Sequence, residues 1–303
     1  MVLPSKSFFD RSKYVQKWKE KAVKLGLLGA SSTSILIVLL IFFYLIKEAL
    51  PFALDPGLSS LSGSLWAPTS MLKESFGILP LLTGSLLVTA IATIIAVPVG
   101  VTAAIYISEI ARPAEREVLK PFIELLAALP SVVIGFFGLV VFVPLVKSVF
   151  GLSTGLTALT GALLLALMAI PTIISISEDA INSVPGSYKQ ASLALGASKL
   201  ETIFKITVPA ALSGIVASIT LGIGRVIGET MAVLMVTGNA AVVTMNPLTS
   251  VRTMTATVAA EMGEVAFGSH HYRALFWVAL ILLGITFALN ILAQKALSKY
   301  KLG

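Results

Sequence analysis

Arg225 and Glu229 are the only charged residues between Ile206 and Val251, and they stand four positions apart in an apolar stretch. A guanidinium presents a planar, permanently charged fork of donors, and a carboxylate is its natural acceptor. In a continuous helix, residues four apart share a face, so the pair can form a salt bridge or hold a shared ligand. An isolated charge at membrane depth costs from about 2.5 kcal/mol upward, so such residues face a polar cavity or one another and mark a transport route. Arg before Glu is the less favourable order for a helical pair, which argues against helix stabilisation as the reason for the two residues.

The elements that must position this pair are membrane helices. The chain has 303 residues, of which 56% are hydrophobic and 12% charged, with a mean hydropathy of +0.96. A soluble domain carries about twice that charged fraction. Runs long enough to cross roughly 30 Å of hydrocarbon as helices recur along the chain, which predicts an all-α integral membrane protein without a large soluble domain. Six spans are expected: Leu25 to Ile46, Ile78 to Ile107, Phe122 to Val146, Leu156 to Ile176, Ala210 to Val236 and Leu275 to Ala293. The second is overlong and contains Pro80 and Pro98, so tilt, a kink or an interfacial extension is expected there.

A net charge of +7 and a pI near 9.6 do not indicate nucleic acid, because the basic residues sort by membrane side. One side collects Lys6, Arg11, Lys13, Lys17, Lys19, Lys21 and Lys24, then Arg112, Arg116 and Lys120, then Lys189, Lys199 and Lys205, and finally Lys295, Lys299 and Lys301. The other holds Lys47, Lys73, Lys147, Arg252 and Arg273. The positive-inside rule therefore predicts that both termini are cytoplasmic, as an even number of spans requires. Residues 1–24 read as a basic cytoplasmic arm and 25–303 as the membrane domain. The first apolar run is full span length without a clear small-residue cleavage site, and reads as a retained anchor rather than a signal sequence. The absence of cysteine rules out disulfides and thiolate chemistry.

Two connecting segments carry information. Residues 238–273 form the longer outside segment, with a short Ala/Thr-rich helix expected from Thr253 to Val265; it can meet an external partner or simply cap the bundle. The first outside loop, 47–77, offers Trp66 as an interfacial anchor and no chemistry. On the cytoplasmic side, 177–209 predicts two short helices, Ser187 to Leu195 and Lys199 to Ile206, interrupted at Gly196. Such helices suit docking into a groove on another protein, or a plain surface hairpin.

That loop resembles the signature of ABC importer permeases: Glu-Ala-Ala, three residues, Gly, nine residues, Ile, any residue, Leu-Pro. The matching positions are Gln190, Ala191, Ser192, Gly196, Ile206, Val208 and Pro209, with every spacing kept; Gln190, Ser192 and Val208 depart from the commonest residues. LGIGRVIGETMAVLMVTGN, Leu221 to Asn239, is similar to the corresponding span of phosphate-specific permeases, with their Arg-x-x-Gly-Glu-Thr core at Arg225, Glu229 and Thr230. IELLAALPSVVIGFFGL, Ile123 to Leu139, resembles another block of that family, and Met-Ala-Val after Glu-Thr resembles its PstC type rather than the paralogous PstA type.

The resemblance implies a type I ABC importer permease in a prokaryotic cytoplasmic (inner) membrane. It implies a loop that contacts an ATP-binding subunit. It further implies a paralogous PstA-type permease, a PstB-type ATPase dimer holding ATP and Mg, an external PstS-type binding protein and inorganic phosphate as cargo. Arg225 would then offer its fork to phosphate oxygens while Glu229 accepts a hydrogen bond from a protonated oxygen and repels sulfate. The alternatives are a structural ion pair, a permease for another oxyanion such as sulfate or molybdate, and an ion-coupled secondary transporter. Gly222, Gly224 and Gly228 read as close helix packing, with amide contact to an anion as the alternative. Adjacent His270 and His271 lack companions for a metal site. No Gly-x4-Gly-Lys-Ser/Thr loop occurs in the chain, so hydrolysis of ATP would fall to a separate subunit, and this chain is expected to be no enzyme by itself.

Overall fold

The computed structural model describes residues 6–299; residues 1–5 of the basic arm and 300–303 of the tail, Lys301 among them, lie outside the described residues, as do the side chains of 6–19, 22, 292–294 and 296–299, Lys299 among them. The remainder of the arm and the first span form one helix, α1 (Lys6–Phe52). Every described side chain from Val23 to Ile41 is exposed. Contact begins only near the end of α1, where Ala49 and Phe52 are buried and Trp277 Nε1 donates to Ala49 O at 2.7 Å. A two-residue hairpin follows, β1 (Trp66–Ala67) paired antiparallel with β2 (Ser75–Phe76).

The centre of the bundle is α6 (Ala158–Asn182), packed between α2 (Leu79–Ile105) and α10 (Leu212–Gly228). α2 buries Gly84, Val88, Ala92, Ala96, Gly100 and Ala104, one residue in every four. Such a ridge of small side chains along an i+4 row lets a neighbouring backbone approach closely. Gly100 of α2 and Gly222 of α10 converge on one residue of α6: a Cβ on either would lie 2.8 or 2.7 Å from a side-chain carbon of Ile173. Pro98 does not interrupt α2, and the apolar run extends to Ile110. At about 1.5 Å per residue those 32 residues far exceed roughly 30 Å of hydrocarbon, so the expected extension emerges at the end carrying Glu109.

Two expected spans are broken. The run Phe122 to Val146 divides at Leu129 and Pro130, which are extended. Before the break, α3 (Pro113–Ala128) belongs to a separate helix. The membrane-length segment begins after it, Ser131–Phe150, composed of α4 (Ser131–Phe137), a π-helical turn and α5 (Val143–Phe150). The physical reason is Pro130, which pushes its predecessor out of the helical region. The run Ala210 to Val236 likewise divides at Glu229 (φ −70°, ψ 133°), after which α11 (Met231–Val236) begins.

The predicted loop helices are present as α7 (Gly186–Ala194) and α8 (Lys199–Thr202), the latter continuing through a π-turn to α9 (Val208–Ala210). That second arm meets α10 at a 68° bend. On the opposite face lies α12 (Met254–Glu261), capped by Thr253. The last helix, α13 (His270–Lys299), carries the sixth apolar segment.

Candidate pathway and coupling surface

The break after Gly228 determines what Arg225 and Glu229 can do. They do not share one continuous helical face, and no ion pair joins them. Glu229 is held by its own backbone: Thr255 Oγ1 donates to its carbonyl at 2.8 Å, tying the break to α12. Its carboxylate accepts the Ala232 N–H at 3.2 Å, so Glu229 stabilises the first turn of α11 as an acidic group at a helix N-terminus does. Thr230, at φ −120° and ψ −60°, is the residue on which α11 starts.

Arg225 points the other way. Nη1 donates to Thr172 Oγ1 of α6 at 3.2 Å and Nη2 to Ala127 O in the last turn of α3 at 3.5 Å. Terminal carbonyls of a helix lack intrahelical partners and carry partial negative charge, so a cation there satisfies both. Two of the five guanidinium donors are thus engaged, and the side chain remains only half-buried.

The three glycines divide. Gly222 is a close contact, as described, whereas a Cβ on Gly224 or Gly228 would meet nothing within 4 Å. Both border hollows between α10 and α13. One, of about 200 Å³, is lined by Thr220, Gly224, Thr286 and Asn290 among others. The second, about 440 Å³, is lined by Leu45, Gly228, Thr230, Thr255 and Leu282 among others. A small polar cleft of about 10 Å³ beside Ser85, Thr89, Glu229, Thr253 and Thr255 has room for roughly one water.

The 177–209 loop is a self-bracing hairpin. Gly196 adopts φ +87°, the left-handed conformation glycine tolerates without penalty. Ser198 and Glu201 form a reciprocal capping box. The backbone N–H of Ser198, assisted by Lys205 and by the Ser198 hydroxyl, pushes the Glu201 carboxyl down to about 2. Of the motif positions, Ser192 faces inward and its hydroxyl meets Thr202 at 2.9 Å. Gln190, Ala191 and Pro209 are exposed, and Ile206 is half-buried. Tyr188, Leu193, Leu195, Leu200 and Phe204 present apolar side chains outward from the same hairpin.

A second polar cluster, at the opposite face, is not apparent from sequence. Trp66 is buried rather than interfacial; its Nε1 donates to Glu261 Oε2 at 3.1 Å. Glu261 also accepts from Arg252 Nη1 at 2.6 Å, and its Oε2 lies 2.8 Å from His271 Nε2. They border a hollow of about 610 Å³. Arg252 and His271 stand nine and ten residues from Glu261 within the 238–273 segment, whereas Trp66 joins from 195 residues away, and only Glu261 at its helix end carried a local signal. Among the described residues no three potential metal ligands gather.

Membrane-length helices broken beside a half-buried guanidinium, with a braced hairpin at one face, define a multi-pass membrane transport protein. Residues 96–299 match the family model for the binding-protein-dependent transport system inner membrane component, and the chain belongs to that family. It is 39% identical over 236 residues to a probable ABC transporter permease protein, YqgH, of Bacillus subtilis, covering 78% of this chain and 76% of the relative. It is 33% identical over 262 residues to the phosphate transport system permease protein PstC of Mesorhizobium japonicum, covering 80% and 79%. The fold is also that of a chain from a bacterial ABC transporter involved in import of the acidic polysaccharide alginate, with TM-score 0.63, 13% identity and coverage of 94% and 99%.

Proposed function

We propose that this permease subunit carries inorganic phosphate inward in a complex whose ATPase supplies the energy. The observation that carries the reading is Arg225, a half-buried guanidinium with unused donors beside a helix break that holds Glu229 and Thr230. Relatives named as PstC permeases support phosphate as the cargo. In this reading, the apolar outer side of the 186–209 hairpin docks on a PstB-type ATPase dimer that binds ATP and Mg. A PstA-type paralogue completes the membrane part, and a PstS-type protein delivers phosphate to the face bearing α12. Both termini then lie in the cytoplasm of a prokaryotic cell, with the basic residues of 1–24 on the same side.

Arg225 binds phosphate oxygens through the donors that Thr172 and Ala127 leave open. Glu229, whose carboxylate here caps α11 and faces away from Arg225, would meet the anion only in another arrangement of the break, and there it favours an anion that keeps a proton, because two negative groups cannot approach without one. Alternating exposure of this site to the two sides follows from differential affinity of the two states for nucleotide and binding protein. The test is uptake into proteoliposomes holding the complete complex, with ATP inside and the loaded binding protein outside. Phosphate should accumulate at least tenfold over sulfate and molybdate. Preferential accumulation of either competitor, or accumulation without ATP, would overturn the proposal.

A further inference from the structure

Glu178 is almost completely buried near the end of α6, and its partners connect four elements. Arg116 Nη2 of α3 reaches Oε1 at 2.6 Å, and Lys120 Nζ, one turn later on the same face, lies 3.5 Å from Oε2. Asn182 Nδ2 donates to the same Oε1 at 3.2 Å and accepts from Ser108 Oγ at 2.8 Å. The residue after Ser108 is Glu109, whose largely buried carboxylate pairs with Lys189 of α7. A relay therefore runs from the hairpin helix α7 to the first half of α3: the Lys189–Glu109 ion pair, the backbone step from Glu109 to Ser108, the neutral Ser108–Asn182 hydrogen bond, and the charge-assisted bonds of Glu178 to Asn182, Arg116 and Lys120. The other end of α3 is where Ala127 O receives Arg225. From Arg116 to Ala127 is eleven residues, about 16 Å of helix that stays helical through Pro121, the one place where an intrahelical donor is missing, and extended Leu129 and Pro130 free α3 from the span that follows.

We propose that α3 is a transmission rod: Glu109, Glu178, Arg116 and Lys120 are positioning residues through which displacement of the 186–209 hairpin resets the Arg225 guanidinium. The proposal rests on the permease reading above and adds the route by which the ATPase-facing hairpin acts on the pathway. Charge-assisted bonds suit the task because they are short and directional. Arg116 and Lys120, themselves partly exposed, each clamp the rod to a carboxylate that is buried beneath them. Contiguity alone does not prove coupling, which requires an element with two arrangements that both sites bias; the measurement must therefore be of a response rather than of a contact.

The chain contains no cysteine, so Leu129→Cys, at the exposed joint after α3, gives a single reporter. In the assembled complex its maleimide reaction rate is compared without nucleotide and with ATP plus vanadate. The expected result is a change of fivefold or more in the Leu129→Cys parent, reduced below twofold by Arg116→Ala with Lys120→Ala and by Glu109→Gln. Phosphate moved per ATP should fall tenfold in the same variants while the ATPase still copurifies, and the conservative Arg116→Lys with Lys120→Arg should restore both. A purely structural role would lower the yield of complex and leave the nucleotide response intact. The proposal is overturned if the parent rate is insensitive to nucleotide, or if the variants respond as the parent does. Transport of sulfate in place of phosphate would refute the cargo assignment alone, because the thiol response does not depend on the anion.

Discussion

At Arg225 the type of cation matters as much as its charge. Its two nitrogens address two elements at once, Thr172 on α6 and Ala127 on α3, and an ammonium cannot reproduce that fork. Arg225→Lys is expected to lower phosphate uptake at least tenfold while the complex still assembles; uptake at the parental rate would exclude the fork as the binding group. Glu229→Gln separates two roles. A glutamine carbonyl can still accept the Ala232 N–H, so melting of the purified chain should stay within about 1 kcal/mol of the parent. The loss of negative charge should make sulfate an effective competitor in uptake assays. If competition is unchanged, the carboxylate serves only as a helix cap.

Among the elements, α10 offers the cleanest contrast. Gly222→Ala drives a Cβ into Ile173 at 2.7 Å, and overpacking of that kind costs about 1–3 kcal/mol. Ile173→Val, which removes Cδ1 at 3.0 Å but keeps Cγ1 at 2.7 Å, should recover little of the loss, whereas Gly224→Ala, with nothing within 4 Å of it, should raise thermal stability slightly by the helix preference of alanine, about 0.5–1 kcal/mol. The hairpin carries a pH prediction. Glu201 titrates at about 2 when folded against 4.5 ordinarily, so its contribution is complete above about 4.5 and disappears as pH falls toward 2. The protection of the Glu201 amide, measured relative to its intrinsic exchange rate at each pH, should fall through that window, and Glu201→Gln should remove that fall. This hairpin was legible in the sequence because its determinants are local: Gly196 for the bend, Ser198 and Glu201 for the cap. Hydropathy located the other elements but ran through the breaks at Leu129–Pro130 and Glu229. Most side chains around each break are apolar, so Pro130 is outweighed in a hydropathy average, and the Glu229 carbonyl is held by Thr255, 26 residues away.

For the whole molecule, the contacts that matter are distant in sequence and correspondingly hidden. Trp66 reads as an interfacial aromatic in a loop without chemistry, yet Glu261 binds it from 195 residues away and draws Arg252 and His271 to the same carboxylate. Trp66→Ala is expected to destabilise the detergent-solubilised chain by about 3–5 kcal/mol, visible as a lowered melting temperature; Trp66→Phe, which keeps the ring and loses the donor, should lose less. The sequence shows the periodic apolar runs and the charge asymmetry, whereas closure of the α12 face depends on which loops meet.

The single attachment of α1 has a mechanical consequence. From Tyr44 to Phe52 the helix is held against Tyr272, Phe276 and Trp277, and from Val23 to Tyr44 it runs about 32 Å beyond that grip. A rotation of about 10° there would sweep the Val23 end through roughly 5–6 Å, by the helical rise alone. Any turn of α13 at this grip would be magnified along residues 23–41 of α1, whose side chains are all exposed, so the reach of that helix is set by the few side chains between Tyr44 and Phe52.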